Sequence, residues 1–141
     1  MKQIRWLEAD AVGHTVIDRE HRAIVAVLNE AIRAFNDRDT ETCSEAIDRA
    51  VEAIRRHFAS EEAILVDSGC RGDSFTNHAA YHRRLLAEAE QIGRLCRNDP
   101  QRAFLEARLA ELVHFVTYEI RNCDSALGRN LIGPREMAMR R

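Results

Sequence analysis

Seven side chains able to bind metal lie at helical spacing along this chain: His21, then His57 and Glu61, then His78 and His82, then Glu119 and Asp124. Residues three or four apart share one face of an α-helix. The faces that carry these seven are otherwise apolar, so they are expected to point into a protein interior. A buried imidazole or carboxylate is costly there unless something compensates it. Helices packed side by side, with the polar groups at one level around a pair of metal ions, would compensate all seven together.

The periodicity that frames them predicts four helices. After Asp18, read as an N-cap, apolar residues recur at Ile24, Val25, Leu28, Ile32 and Phe35, and His21 opens that face. Residues 36–40 read as a turn. A second stripe runs through Ala46, Ala50, Ile54, His57, Glu61, Ile64 and Leu65. Residues 68–74 break the period and supply two turn glycines. The third stripe is Phe75, His78, His82, Leu85, Ala89, Ile92 and Cys96. Asp99 before Pro100 predicts the N-cap and first turn of the next helix. Its stripe is Leu105, Leu109, Leu112, Val116, Glu119 and Cys123, flanked by Ile120, Asp124 and Leu127, with Gly128 or Gly133–Pro134 ending it.

No strand-like alternation competes and no internal repeat is evident. The reading is all-α: an up-down-up-down antiparallel four-helix bundle over residues 18–131, preceded by an extended arm at 1–17 and followed by a basic tail at 132–141. Trp6 is expected to anchor the arm. A chain of 141 residues suits one domain with a single core.

Charge and composition narrow the function. The formal net charge is −2 with both signs interspersed, which gives no surface for nucleic acid. The first residues are charged, with no apolar run for a signal peptide, and no later stretch could span a membrane; a cytoplasmic protein is expected. The four cysteines lack Cys-x-x-Cys spacing and read as reduced thiols, not as a disulfide framework or a zinc site.

Four imidazoles and three carboxylates are too many for one tetrahedral zinc. Mixed imidazole and carboxylate ligation suits iron or manganese, and a carboxylate can bridge two ions. The spacings are His-x-x-x-Glu and His-x-x-x-His, not the Glu-x-x-His repeat of ferritin-like proteins.

In these motifs the chain resembles the hemerythrin family, specifically its single-domain bacterial members. The matching stretches are Trp6 with Val12-Gly13, Ile17-Asp-Arg-Glu-His21, His57-Phe-Ala-Ser-Glu61-Glu62, His78-Ala-Ala-Tyr-His82 and Ile120-Arg-Asn-Cys-Asp124. The resemblance implies two iron ions in a non-haem di-iron centre with an oxo or hydroxo bridge. Glu61 and Asp124 would bridge the irons. His21 and His57 would bind one iron and leave an open position for dioxygen or another small diatomic ligand. His78 and His82 would bind the other iron with a third terminal ligand. In the family that third ligand is a histidine five residues before the bridging aspartate, and here the position is Glu119. His114 is a poor substitute, since five residues turn an α-helix by about 140° from Glu119; it and His14 are read as surface and arm residues.

A carboxylate in place of an imidazole adds a negative charge, which favours ferric over ferrous iron. Ile24, Val25, Leu28 and Val116 are expected near the open position and Glu62 facing away; Tyr81 and Tyr118 adjoin the ligands and could donate hydrogen bonds or electrons, with the surface or boundary the favoured placement. Cys123 reads as a small core residue. The leading function is dioxygen binding for delivery, storage or sensing. The alternative is a redox enzyme acting on dioxygen, peroxide or nitric oxide. No flavin motif, second metal centre or fused output domain accompanies the site, and no protein partner is indicated.

Overall fold

The computed structural model describes the backbone of residues 1–98 and 101–124, and side chains through residue 121. Four helices follow one another: α1 (Thr15–Asn36), α2 (Thr40–Asp67), α3 (Gly72–Asn98) and α4 (Arg102–Tyr118). The last continues as a π-helical turn, Glu119–Asp124. No strand occurs among the described residues. No described helix is long and apolar enough to cross a membrane.

Pairs across neighbouring helices show the antiparallel order. Glu30 meets Arg49 while His21 meets His57. Asp48 meets Arg97 while Glu61 meets His78. Arg102 bonds the Phe35 carbonyl at one end of α1 and α4, and Glu119 comes beside His21 at the other. The all-α up-down-up-down bundle expected from the stripes is therefore the observed fold.

The stops are chemical. Asp39 caps α2 by accepting the Thr42 N–H at 3.1 Å. Both α1 and α2 end in paired backbone bonds that recover otherwise orphaned carbonyls. Asp39 N–H reaches Ala34 O and Arg38 N–H reaches Phe35 O; Cys70 N–H reaches Leu65 O and Gly69 N–H reaches Val66 O. The residue at the turning point takes a positive φ in each case, 87° at Gly69 and, less comfortably for a residue with a Cβ, 64° at Arg38.

Two boundaries differ from expectation. Helix α1 begins at Thr15, not after Asp18, because Ile17 is buried and extends the stripe one turn before His21. His14 is the N-cap, its Nδ1 accepting the Ile17 N–H at 3.4 Å. Asp18 sits in the first turn, where a carboxylate suits the helix dipole, and it accepts the Val12 and Gly13 N–H groups at 2.7 and 3.1 Å. Gln101 precedes α4; Asp99, Pro100 and everything from residue 125 lie outside the described residues.

The core joins all four stripes. Leu28, Ile32, Ile47, Leu105, Leu109 and Leu112 are among the most completely enclosed side chains, each worth roughly 1.5–3 kcal/mol of apolar burial. The arm runs back along α1: Met1 pairs with Asn36, Ile4 with Asn29, and the Arg22 guanidinium lies 5.1 Å over the half-buried Trp6 ring. Buried Asp10 then accepts from Arg121 Nε at 3.0 Å, tying the arm to the π-helical turn.

Cys43 and Cys96 are buried thiols of this core. Burial, reinforced for Cys43 by the Asp39 charge and for Cys96 chiefly by Cys43, pushes each up to about 11. At pH 8 roughly one in a thousand of each is thiolate, the reactive form. Both are expected to resist iodoacetamide in the folded protein, to react as pH rises towards 11, and to react readily once denatured. Mass spectrometry of alkylated peptides reads this directly.

Candidate metal centre

Three helices deliver five of the seven expected side chains to one level. His21 comes from α1, His57 and Glu61 from successive turns of α2, and His78 and His82 from successive turns of α3. They form two sets of possible ligands, His21–His57–Glu61 and Glu61–His78–His82, which share the Glu61 carboxylate. Glu61 is fully buried, and His21, His57 and His82 are nearly so.

Glu61 Oε2 lies 2.9 Å from His57 Nε2, while Oε1 lies 3.0 Å from His78 Nε2 and 3.5 Å from His82 Nε2. Burial alone would raise the pKa of this carboxyl. Hydrogen bonding from His57, His78 and His82, with the charge of His57, outweighs burial and holds it far below the usual carboxylate range. The rings are braced by packing: Phe58 stacks on His82 with centroids 4.0 Å apart and planes 5° from parallel.

The donor set fits metal cations. His57 Nδ1 stands 3.1 Å from Glu20 Oε1, and a carboxylate oxygen accepts, so Nδ1 is the ring nitrogen placed to donate to it. With the proton that Glu61 Oε2 accepts replaced by a cation, Nε2 offers a lone pair at that point, beside His21 Nε2, which is 3.0 Å away. Lone pairs converging in a buried site need a cation between them, whether added protons or a metal. Buried His82 Nδ1, moreover, has no hydrogen-bond partner among the described residues.

Glu119 belongs to neither set. It is buried at the start of the π-helical turn and accepts the Tyr81 hydroxyl at 3.2 Å through Oε2. With His21 and His57 it lines a small, mostly apolar cavity completed by Ile24, Ile54, Phe58, Phe115, Val116 and Ile120. Its volume is about 10 Å³, the room of roughly one water-sized molecule.

The π-helical turn bears on the last two positions. In a regular α-helix, residues 119 and 124 would stand about 140° apart. The i to i+5 bonding of a π-helix brings backbone positions five apart to successive turns. Asp124 ends the described backbone, and its side chain, like that of Cys123, lies outside the described residues.

Of the residues around the site, Ile24 and Val116 line the cavity as expected, whereas Val25 and Leu28 belong to the core beyond it. Tyr118 and His114 are exposed, and Glu62 is not among the grouped ligands. Tyr81, read from its place beside His82 as a possible hydrogen-bond donor, is one; Glu20 and Phe58 were not anticipated. Only Glu20 left a trace: adjoining His21, it lies beside a ligand position but off the apolar stripe.

The hemerythrin family profile, described as the Hemerythrin HHE cation binding domain, matches residues 12–129. The chain belongs to the hemerythrin family. The cation binding in that description agrees with the two sets of possible ligands. Among curated relatives, the bacteriohemerythrin of Stenotrophomonas maltophilia (strain R551-3) is 32% identical over 69 residues, covering 49% of this chain and 45% of that protein. The bacteriohemerythrin of Pseudomonas aeruginosa (strain LESB58) is 30% identical over the same length and shares. The matched stretch thus spans less than half the length of these relatives.

A carboxylate that orients a ligand histidine typically contributes 10–100-fold to metal affinity. Glu20→Ala is expected to weaken cobalt(II) binding by about tenfold while leaving helicity unchanged, as read by visible absorption and circular dichroism. An unchanged affinity would remove Glu20 from the site.

Proposed function

We propose that this hemerythrin domain is a non-haem di-iron protein that binds dioxygen, or another small diatomic ligand, beside His21 and His57. His21, His57 and Glu61 would hold one iron and Glu61, His78 and His82 the other. Asp124 would be the second bridge and Glu119 the remaining terminal ligand. Iron held there would supply the electrons that bind dioxygen.

The observation that carries this reading is the cavity. His21 and His57 line it, its volume of about 10 Å³ is on the scale of a single water, and apart from these rings and Glu119 its walls are aliphatic and aromatic. Such walls admit an uncharged diatomic and disfavour anions and bulk water. Glu20 is placed to accept from His57 Nδ1, leaving Nε2 for a metal, and Phe58 holds the His82 ring in place. The names of the bacteriohemerythrin relatives support the metal-binding part of this reading.

Anaerobic titration with ferrous iron tests it. About two irons per chain are expected, with a break in the titration near that ratio. Saturation at one, or a preference for zinc with no iron-dependent spectrum, would overturn it.

Glu119 favours a second reading. A buried carboxylate at the cavity wall stabilises ferric iron, which suits an enzyme reducing dioxygen or peroxide or processing nitric oxide. Catalytic turnover of peroxide or nitric oxide by the iron-loaded protein, supplied with a reductant, would select it over the binding role.

A further inference from the structure

Glu119 stands between two spaces. Inside is the small cavity shared with His21 and His57. Outside, between α3 and α4, is a groove of about 340 Å³ lined by Tyr81, Leu85, His114, Phe115 and Tyr118 among others, and Glu119 forms part of its wall as well. The Tyr81 hydroxyl reaches the carboxylate across 38 residues of sequence and bonds Oε2 at 3.2 Å.

Tyr81 is well placed to be a fixed donor. It is half-buried on α3, next to His82 and one turn from His78, so its backbone is held with two candidate ligands. The Arg84 guanidinium lies 5.5 Å over its ring. A cation on the ring face draws electron density from the phenol, making the O–H a stronger donor.

We propose that Tyr81 is a positioning residue for Glu119: its hydroxyl pins one carboxylate oxygen and so fixes how the carboxylate meets the metal pair. This rests on Glu119 being a ligand, as proposed above. A histidine at position 119 would have its own ring to set its direction. A glutamate has three rotatable bonds and two equivalent oxygens, so it needs an outside contact to present one geometry. Tyr81 supplies such a contact, linking the helix that carries His78 and His82 to the π-helical turn.

Cobalt(II) titrations followed by visible absorption test this without reference to activity. Tyr81→Phe keeps the ring and removes only the donor, and is expected to weaken cobalt binding about tenfold. Glu119→Ala should weaken it at least as much. Adding Tyr81→Phe to Glu119→Ala should change affinity by less than about twofold. Glu119→Leu, which keeps the volume, gives the same cycle on a second background. Circular dichroism establishes that each variant is folded. If Glu119→Ala weakens binding and Tyr81→Phe does not, the positioning role falls and the ligand role of Glu119 stands. An equal loss from Tyr81→Phe on both backgrounds would make its effect one of packing and overturn the proposal. Unchanged affinity in Glu119→Ala would overturn both.

Discussion

Glu61→Ala is expected to abolish metal binding in both halves of the site at once, taking iron from about two per chain to near zero. The reason is geometric. Among the described residues Glu61 is the one common to the two ligand sets, with Oε2 on the His57 side and Oε1 on the His78 side. Removing it also strips three imidazoles of their shared acceptor inside the bundle, so the metal-free variant should be less stable than the metal-free parent. His21→Ala touches one set only and should spare binding at the other. Elemental analysis after anaerobic loading separates these outcomes. Retention of one firmly bound iron in Glu61→Ala would mean that the halves are independent.

The same carboxylate links stability to pH. Its folded-state pKa is depressed, so its contribution is present above the unfolded value, near 4.5, and is lost as pH falls below that value towards the folded one. Glu61→Ala should therefore flatten the acid side of the metal-free stability profile.

Glu119→His is the second large effect expected. It replaces a carboxyl beside the proposed metal pair with an imidazole, the residue type that the resemblance to the family implies for this position. The lower charge favours ferrous iron, so the oxygen-dependent colour should persist about ten times longer before ferric iron accumulates. Stopped-flow and slow-scan absorption after mixing with air measure that lifetime. A lifetime no longer than that of the parent would show that Glu119 does not set the redox balance.

The fold was legible because its signals were redundant. Four apolar stripes of period 3.6, broken at residues 36–40 and 68–74, leave no alternative to a bundle. His57 with Glu61, and His78 with His82, were legible as pairs because four residues is one helical turn. Their meeting across helices followed from their apolar setting. The start of α1 was displaced because Asp18 has the composition of an N-cap but bonds backward to the arm, while His14, a less usual cap, takes that place. The π-helical turn had no propensity signal and was not expected. Glu20 and Tyr81 act through side-chain directions set by packing, which spacing along one helix does not encode. Asp10 and Arg121 pair across 111 residues, a contact visible only once the arm is folded back.

The most direct test of the account is oxygen cycling. The protein is loaded with ferrous iron under anaerobic conditions, exposed to air, then deoxygenated, and its visible absorption is followed through several rounds. The account predicts a colour that appears with oxygen, bleaches on its removal and returns, with a growing ferric fraction at each round. Immediate and irreversible conversion to a ferric spectrum, with no bleaching phase, would contradict it and place the site among redox catalysts.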